Sequence, residues 1–119
     1  MKLYTVSEMA SYIDHAVLKP DQNEVDIRKA ASMCINYRVA SMCVRPCDIP
    51  LAAALLDESN VMVSCVLSFP HGADTIQTKA FQAEQAILAG AREIDMAMNI
   101  GQFLSEHFEY VTNDIKAVV

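Results

Sequence analysis

The chain has 119 residues, of which 53% are hydrophobic and 20% are charged, and its formal net charge at pH 7 is −6. This composition is typical of a globular domain and excludes a disordered one. The negative charge argues against a nucleic-acid-binding protein, whose surface is normally basic, and no apolar run approaches the ~18 residues of a membrane-spanning helix.

The N-terminal part begins with a short helical pattern. Residues 7–13 suit a helix that Thr5 or Ser7 caps, because a side-chain oxygen there can accept a hydrogen bond from a free backbone N–H. A brief apolar run at residues 15–18 follows and stops before Pro20. The pattern indicates a helix and then a short buried strand.

A longer helix is predicted over residues 23–37, with Asn23 as its N-cap. Its apolar residues recur at helical spacing and predict one buried stripe: Val25, Ile27, Ala31, Cys34 and Ile35. A short apolar run at residues 39–44 and a helical pattern at residues 49–58 come next.

The second half repeats the alternation. Residues 61–69 are rich in β-branched side chains and predict a strand. Residues 75–90 give the clearest helical pattern, and Gly90 ends it because glycine tolerates the left-handed conformation that terminates helices. A strand at residues 93–98 and a last helix at residues 107–119 complete the chain.

Strands that alternate with helices predict an α/β fold with a parallel sheet. Two architectures fit the pattern, an open doubly wound sheet and part of a (β/α)8 barrel. Only three glycines are present, and neither a G-x-G-x-x-G nor a G-x-x-x-x-G-K-[ST] motif occurs, which disfavours a nucleotide-binding doubly wound fold. In both architectures ligands bind at the carboxyl ends of the strands.

The four cysteines are interpreted as reduced, buried core thiols of a cytoplasmic protein, since residues 1–15 lack the apolar core of a signal peptide. They are Cys34, Cys43, Cys47 and Cys65. The C-x3-C spacing has no second pair and no nearby histidine, so a zinc site is disfavoured. We expect neither a metal nor a cofactor.

Two aspartates stand out. Asp95 interrupts the apolar run Ile94–Met98, where an unpaired buried carboxylate would be costly. One interpretation is a structural aspartate whose carboxylate is bound by backbone N–H groups or by a lysine. The other is a carboxylate that points into an active site. Asp14, at the start of the first apolar run, invites the same question, although it could simply cap a turn.

Three collinear stretches, running from about Tyr12 to Gly101, resemble the N-terminal half of deoxyribose-phosphate aldolase. They are YIDHAVLKPD, ASMCVRPCDIPLAAALL and VSCVLSFPHGADTIQTKAFQAEQAILAGAREIDMAMNIGQ. The resemblance implies the first half of a TIM (β/α)8 barrel and a class I aldolase, a lyase of deoxyribonucleotide catabolism. Such enzymes cleave 2-deoxy-D-ribose 5-phosphate reversibly through a Schiff base and need no metal.

The resemblance also assigns residues. Asp95 matches the aspartate that helps a second lysine shuttle the proton, and acid–base groups of this kind are typical of such catalysis. Asp14, Cys43 and Phe69 match positions that bind the phosphosugar substrate. The family commonly has threonine where this chain has Ala16, so a hydroxyl that contacts substrate is missing.

The lysines are the main departure. The resemblance places the Schiff-base lysine in the sixth barrel strand and its partner in the seventh, beyond the four βα units of this chain. Of the five lysines, three are predicted on exposed helix surfaces and Lys2 is terminal, so only Lys19 lies at a strand's carboxyl end. The three are Lys29, Lys79 and Lys116. Lys19 is a poor substitute nucleophile, since nothing around it would lower its pKa.

We therefore expect residues 1–119 to be one partial domain, an N-terminal helix followed by about four βα units. On its own this half is expected to be inactive and to form a homo-oligomer, because a half-barrel leaves two open sheet edges. The alternative function is a non-catalytic half-barrel that persists by self-association.

Overall fold

The computed structural model describes residues 3–119, which form a four-stranded sheet flanked by helices. The strands are β1 (Asp14–Val17), β2 (Ser41–Val44), β3 (Met62–Leu67) and β4 (Glu93–Met96). The helices are α1 (Val6–Ala10), α2 (Glu24–Tyr37), α3 (Ile49–Leu56), α4 (Ile76–Ala89), α5 (Ile100–Leu104) and α6 (Phe108–Lys116). A 3₁₀ turn, Pro46–Asp48, precedes α3.

The strand order separates the two predicted architectures. All three strand pairs are parallel, and the strands lie in the order β1-β2-β3-β4. Crossovers between parallel strands are almost always right-handed, so a strand order that never reverses places successive helices on the same face of the sheet. A doubly wound sheet would reverse direction at a switch point. The parallel βα prediction is confirmed, and the topology is that of a barrel segment.

The hydrophobic core lies between the sheet and the helix layer. Alternate strand residues point to opposite faces, and those directed at the helices are buried: Val17, Met42, Val44, Val63 and Cys65. The helices contribute another buried set: Ile27, Ala31, Cys34, Ile49, Ala52 and Leu56. The opposite face of the sheet has no helix layer, and the molecule is correspondingly flat, with extents of 43 × 41 × 24 Å.

Two local signals correctly placed helix ends. The Asn23 side chain accepts a hydrogen bond of 2.9 Å from the Val25 backbone N–H, as predicted for an N-cap. Gly90 ends α4 with a left-handed φ of 115°. The last helix was only partly predicted, since it spans Phe108–Lys116 and a separate short helix precedes it.

Several predicted exposures were wrong. Val25 is 57% exposed because it lies two residues, or about 200° of helical rotation, from buried Ile27. Ile35 is also exposed. Cys47 is exposed because it falls in the 3₁₀ turn beyond the sheet rather than in the core. Lys79 was expected on an exposed helix surface but is fully buried between α4 and α6.

The helices within residues 3–119 are all too short or too polar to cross a membrane.

Candidate active site

The open face of the sheet carries polar side chains where a core would carry apolar ones. The Asp14 carboxylate accepts a hydrogen bond of 2.7 Å from the Ser41 hydroxyl on the neighbouring strand. Ser41 and Ser64 lie 2.9 Å apart through their hydroxyl oxygens, and both are fully buried. Asp14 is therefore not a turn cap. It is the first residue of β1 and belongs to a hydrogen-bonded row that crosses three strands.

A second contact on this face joins Cys43 to Asp95. The Cys43 thiol donates a hydrogen bond of 3.0 Å to the Asp95 carboxylate across β3. Burial first, and then the hydrogen bond to the Asp95 carboxylate, raise the pKa of Cys43 to about 12, because both favour the protonated thiol. Cys43 is thus a hydrogen-bond donor near neutral pH rather than a thiolate nucleophile.

This contact bears on the two interpretations of Asp95. Among residues 3–119, neither a lysine nor a backbone N–H binds its carboxylate, and its side chain is exposed on the open face. The two donors that the structural interpretation named are therefore absent among residues 3–119, and the catalytic interpretation of Asp95 stays a prediction.

A third carboxylate on this face was not anticipated. Glu93 precedes Asp95 by two residues and so lies on the same face of β4. This spacing is visible in the sequence and could have identified Glu93. Its pKa is raised by burial and by the negative charges of Asp14 and Asp95. The open face is therefore an acidic surface, which attracts cations and repels anions.

The four predicted site residues line one cleft of about 600 Å³. They are Asp14, Cys43, Phe69 and Asp95. Ala16 lies in the same cleft, at the position where a threonine was expected from the resemblance. Phe69 is 56% exposed and lies two residues beyond the end of β3. A cavity of similar size lies at the amino ends of the strands, but ligands of parallel α/β folds bind at the carboxyl ends.

Two loops at this end of the sheet are firmly held. Gly72, in the loop that carries Phe69, packs directly against the carbonyl groups that follow β4. The Arg45 guanidinium donates hydrogen bonds to the Asp48 carboxylate at 2.6 Å and to backbone carbonyls of the loop after β1, including Lys19 O at 3.0 Å. Preorganised loops of this kind are what a binding site requires.

The cleft lacks an amine. None of the four lysines among residues 3–119 lines it, since Lys19 is exposed beyond β1 and Lys79 is buried in an ion pair. Lys2 lies outside the described residues. Residues 3–119 also hold no cluster of three metal-ligating side chains. The site thus offers carboxylates, one protonated thiol and an aromatic wall.

Comparison with known proteins agrees with this geometry. The family model described as DeoC/LacD family aldolase matches residues 8–119. The chain is 45% identical over 112 residues to the deoxyribose-phosphate aldolase of Clostridium perfringens, covering 94% of this chain and 50% of that protein. It is 43% identical over 111 residues to that of Treponema denticola, covering 93% and 51%.

Solved structures show the same relation. The crystal structure of a candidate deoxyribose-phosphate aldolase from Coccidioides immitis superposes with a TM-score of 0.94 at 30% identity, covering 99% of this chain and 47% of that one. A tetrameric deoxyribose phosphate aldolase from Aeropyrum pernix gives a TM-score of 0.78 at 22% identity. The fold is the first half of a TIM barrel, as predicted, and the chain spans about half the length of the curated relatives it matches.

Proposed function

Because the chain belongs to the DeoC/LacD family of aldolases, we propose that it is the N-terminal half of a deoxyribose-phosphate aldolase. The reaction is the reversible cleavage of 2-deoxy-D-ribose 5-phosphate to acetaldehyde and D-glyceraldehyde 3-phosphate. The observation that carries this proposal is the Asp95 carboxylate, which lies in the cleft with a thiol as its hydrogen-bond partner.

The proposed chemistry needs an amine that the described residues do not supply. A lysine amine condenses with the C1 aldehyde of the open-chain sugar and releases water. The C2–C3 bond then breaks as the C3 hydroxyl loses its proton, which leaves an enamine that is protonated at C2. Hydrolysis releases acetaldehyde and restores the amine. Covalent catalysis of this kind divides one difficult step into easier ones.

We assign Asp95 to proton transfer in this sequence, in concert with a lysine of the other half-barrel. Its carboxylate is exposed to the cleft and can exchange protons with a bound substrate or an ammonium group. Asp14, Cys43 and Phe69 are assigned to substrate binding, since they line the same cleft. Asp14 and Cys43 offer hydrogen-bonding groups, and Phe69 offers an apolar wall.

The whole enzyme is proposed to work on a phosphosugar without a metal or cofactor, as a homo-oligomer in the cytoplasm. The four free cysteines are consistent with a reducing compartment. Residues 1–119 are proposed to form a single partial domain. For this half alone, the open edges of β1 and β4 favour self-association, because each presents unpaired backbone groups.

A second candidate function is a non-catalytic half-barrel that persists by self-association. The observation that favours it is the absence of any lysine from the cleft among residues 3–119. Incubation with acetaldehyde and borohydride, followed by mass spectrometry, separates the candidates for the isolated chain. A reduced adduct on one lysine would show a working Schiff base. We expect no specific adduct and no cleavage of deoxyribose 5-phosphate by this half alone.

The aldolase proposal is tested by completing the barrel. Residues 1–119 are fused to the C-terminal half of the Clostridium perfringens relative, and release of glyceraldehyde 3-phosphate is measured. We expect cleavage by the fusion and none by either half. A fusion that folds as a barrel yet cleaves no substrate would contradict the proposed function.

A further inference from the structure

One helix contacts the backbone at the carboxyl ends of both β3 and β4. Lys79 and Gln82 lie three residues apart on α4 and so share a face of the helix. Lys79 is 0% exposed and Gln82 is half-buried. Neither side chain lines the cleft, and neither has a role in the proposed chemistry.

Lys79 reaches the segment that follows Asp95. Its ammonium donates a hydrogen bond of 3.1 Å to the Ala97 carbonyl and another of 2.5 Å to the Asp114 carboxylate on α6. Ala97 in turn donates its N–H to the Leu67 carbonyl at 2.9 Å. The first residue beyond β4 is therefore held on one side by a strand and on the other by a buried charge.

Gln82 holds the neighbouring loop in a similar way. Its amide oxygen accepts a hydrogen bond of 3.1 Å from the Ser68 N–H, and its amide nitrogen donates one of 3.2 Å to the Asp74 carboxylate. These two residues flank Phe69 and Gly72. The same face of α4 thus binds the loop with the aromatic wall and the segment after the catalytic carboxylate.

A purely structural explanation of the Lys79–Asp114 pair is weak. Both side chains are fully buried, and one Asp114 oxygen has no hydrogen-bond partner among the described residues. A buried ion pair is often no more stable than apolar residues of the same volume, so stability alone does not explain it. A charged donor does form a stronger and more directional bond to a carbonyl than a neutral one.

We propose that Lys79 is a positioning residue, which holds the Ala97 carbonyl and thereby keeps the Asp95 carboxylate against Cys43 and directed into the cleft. Asp114 orients the ammonium, and Gln82 aligns the adjoining loop. The importance of this arrangement for catalysis rests on the proposed aldolase role of Asp95. The position of the Asp95 carboxylate does not depend on that role, and this position can be measured without an activity assay.

The Cys43 thiol is a built-in reporter of that placement. Asp95 accepts a hydrogen bond from this thiol and, after burial, helps raise the pKa of Cys43 to about 12, so movement of Asp95 away from Cys43 makes the thiolate easier to form. The rate of alkylation by iodoacetamide is proportional to the fraction of thiolate, and peptide mapping identifies which cysteine is modified. A Cys47→Ser background removes the exposed thiol.

The test compares four chains in this background: unchanged, Lys79→Met/Asp114→Leu, Asp95→Asn and Glu24→Gln. The double variant removes both buried charges together, so no lone charge is left in the core. We expect the double variant to retain the circular dichroism spectrum of the parent. We expect its Cys43 alkylation rate at pH 9 to rise by about tenfold or more, because lowering the thiol pKa by one unit raises the thiolate fraction about tenfold. Asp95→Asn should raise the rate similarly.

Glu24→Gln is the matched control, because it breaks the exposed ion pair with Arg28 and should leave the rate unchanged. A folded double variant with the parental rate would overturn the proposal. If the double variant does not fold, NMR of the unchanged chain tests the proposal instead. A slowly exchanging Lys79 ammonium with scalar coupling to the Ala97 carbonyl is expected, and its absence would overturn the proposal. An inactive barrel fusion would leave both results unaffected.

Discussion

Gly72→Ala should strongly destabilise the loop that carries Phe69. Gly72 has a left-handed φ of 64°, and a Cβ placed there would lie 1.9 Å from the Met98 carbonyl oxygen and 2.8 Å from that of Ala97. Both obstacles are backbone atoms, so no side-chain rotation relieves the clash. The left-handed conformation costs an L-residue about 1–2 kcal/mol, and forced backbone shifts add about 1–3 kcal/mol. We expect a total loss of about 2–5 kcal/mol.

Urea unfolding followed by circular dichroism measures this loss. With a slope of about 1–3 kcal/mol per molar urea, a loss of ~3 kcal/mol lowers the midpoint by about 1–3 M at unchanged slope. Gly101→Ala is the matched control, since its Cβ would meet only the Asn99 side chain at 3.7 Å. It should be neutral or stabilising by up to about 1 kcal/mol, because alanine favours helices. Equal midpoints for the two variants would refute the reasoning.

Three further predictions concern catalysis, pH and assembly. In a completed barrel, Asp95→Asn should preserve the circular dichroism spectrum and lower turnover by about 10² to 10⁴-fold, and near-parental turnover would exclude the proton-transfer role. The pKa values of Cys43, Cys34 and Cys65 are raised from 9.0 to about 12, 11 and 11, mainly by burial. The folded state therefore holds protons that the unfolded state releases above pH 9. The contribution of these thiols to stability should be constant near neutral pH, and stability should fall between pH 9 and 12 in urea titrations. A profile that is flat between pH 9 and 12 would contradict the burial of these thiols. Light scattering at micromolar concentration should show a dimer or larger species of residues 1–119 that pairs through its open strand edges, with an interface beyond ~2,000 Å² in total. A cooperatively unfolding monomer would show that the open edges are tolerated.

Much of the fold follows from local patterns in the sequence. The β-branched run of β3 and the helical spacing of α2 and α4 identify these elements, and Asn23 and Gly90 mark helix ends through chemistry that is local to the chain. Strand order is not local, because it depends on which edges pair. The glycine-poor sequence disfavours a nucleotide-binding doubly wound sheet, but only the family resemblance predicted a barrel segment, which the strand pairing confirms.

The candidate site was partly predictable for the same reason. Asp95 and Asp14 were visible as polar residues in or beside apolar runs, and the structure brings both to one cleft with Cys43 and Phe69. Glu93 was missed although its spacing from Asp95 placed it on the same face. Lys79 was predicted to be exposed because nothing within α4 indicates that Asp114, 35 residues away, will pair with it and bury it. A long-range ion pair leaves no signature at either position.

The acidic open face also determines which half-barrel can close over it. Two copies joined face to face would place Asp14, Glu93 and Asp95 of each chain, six carboxylates in all, inside one poorly hydrated lumen. Burial, together with the negative charges of Asp14 and Asp95, already raises the pKa of Glu93 within a single copy. A half that presents ammonium groups would instead be attracted. Like charge on the open face therefore disfavours closed pairing of two copies and would favour a surface of opposite charge.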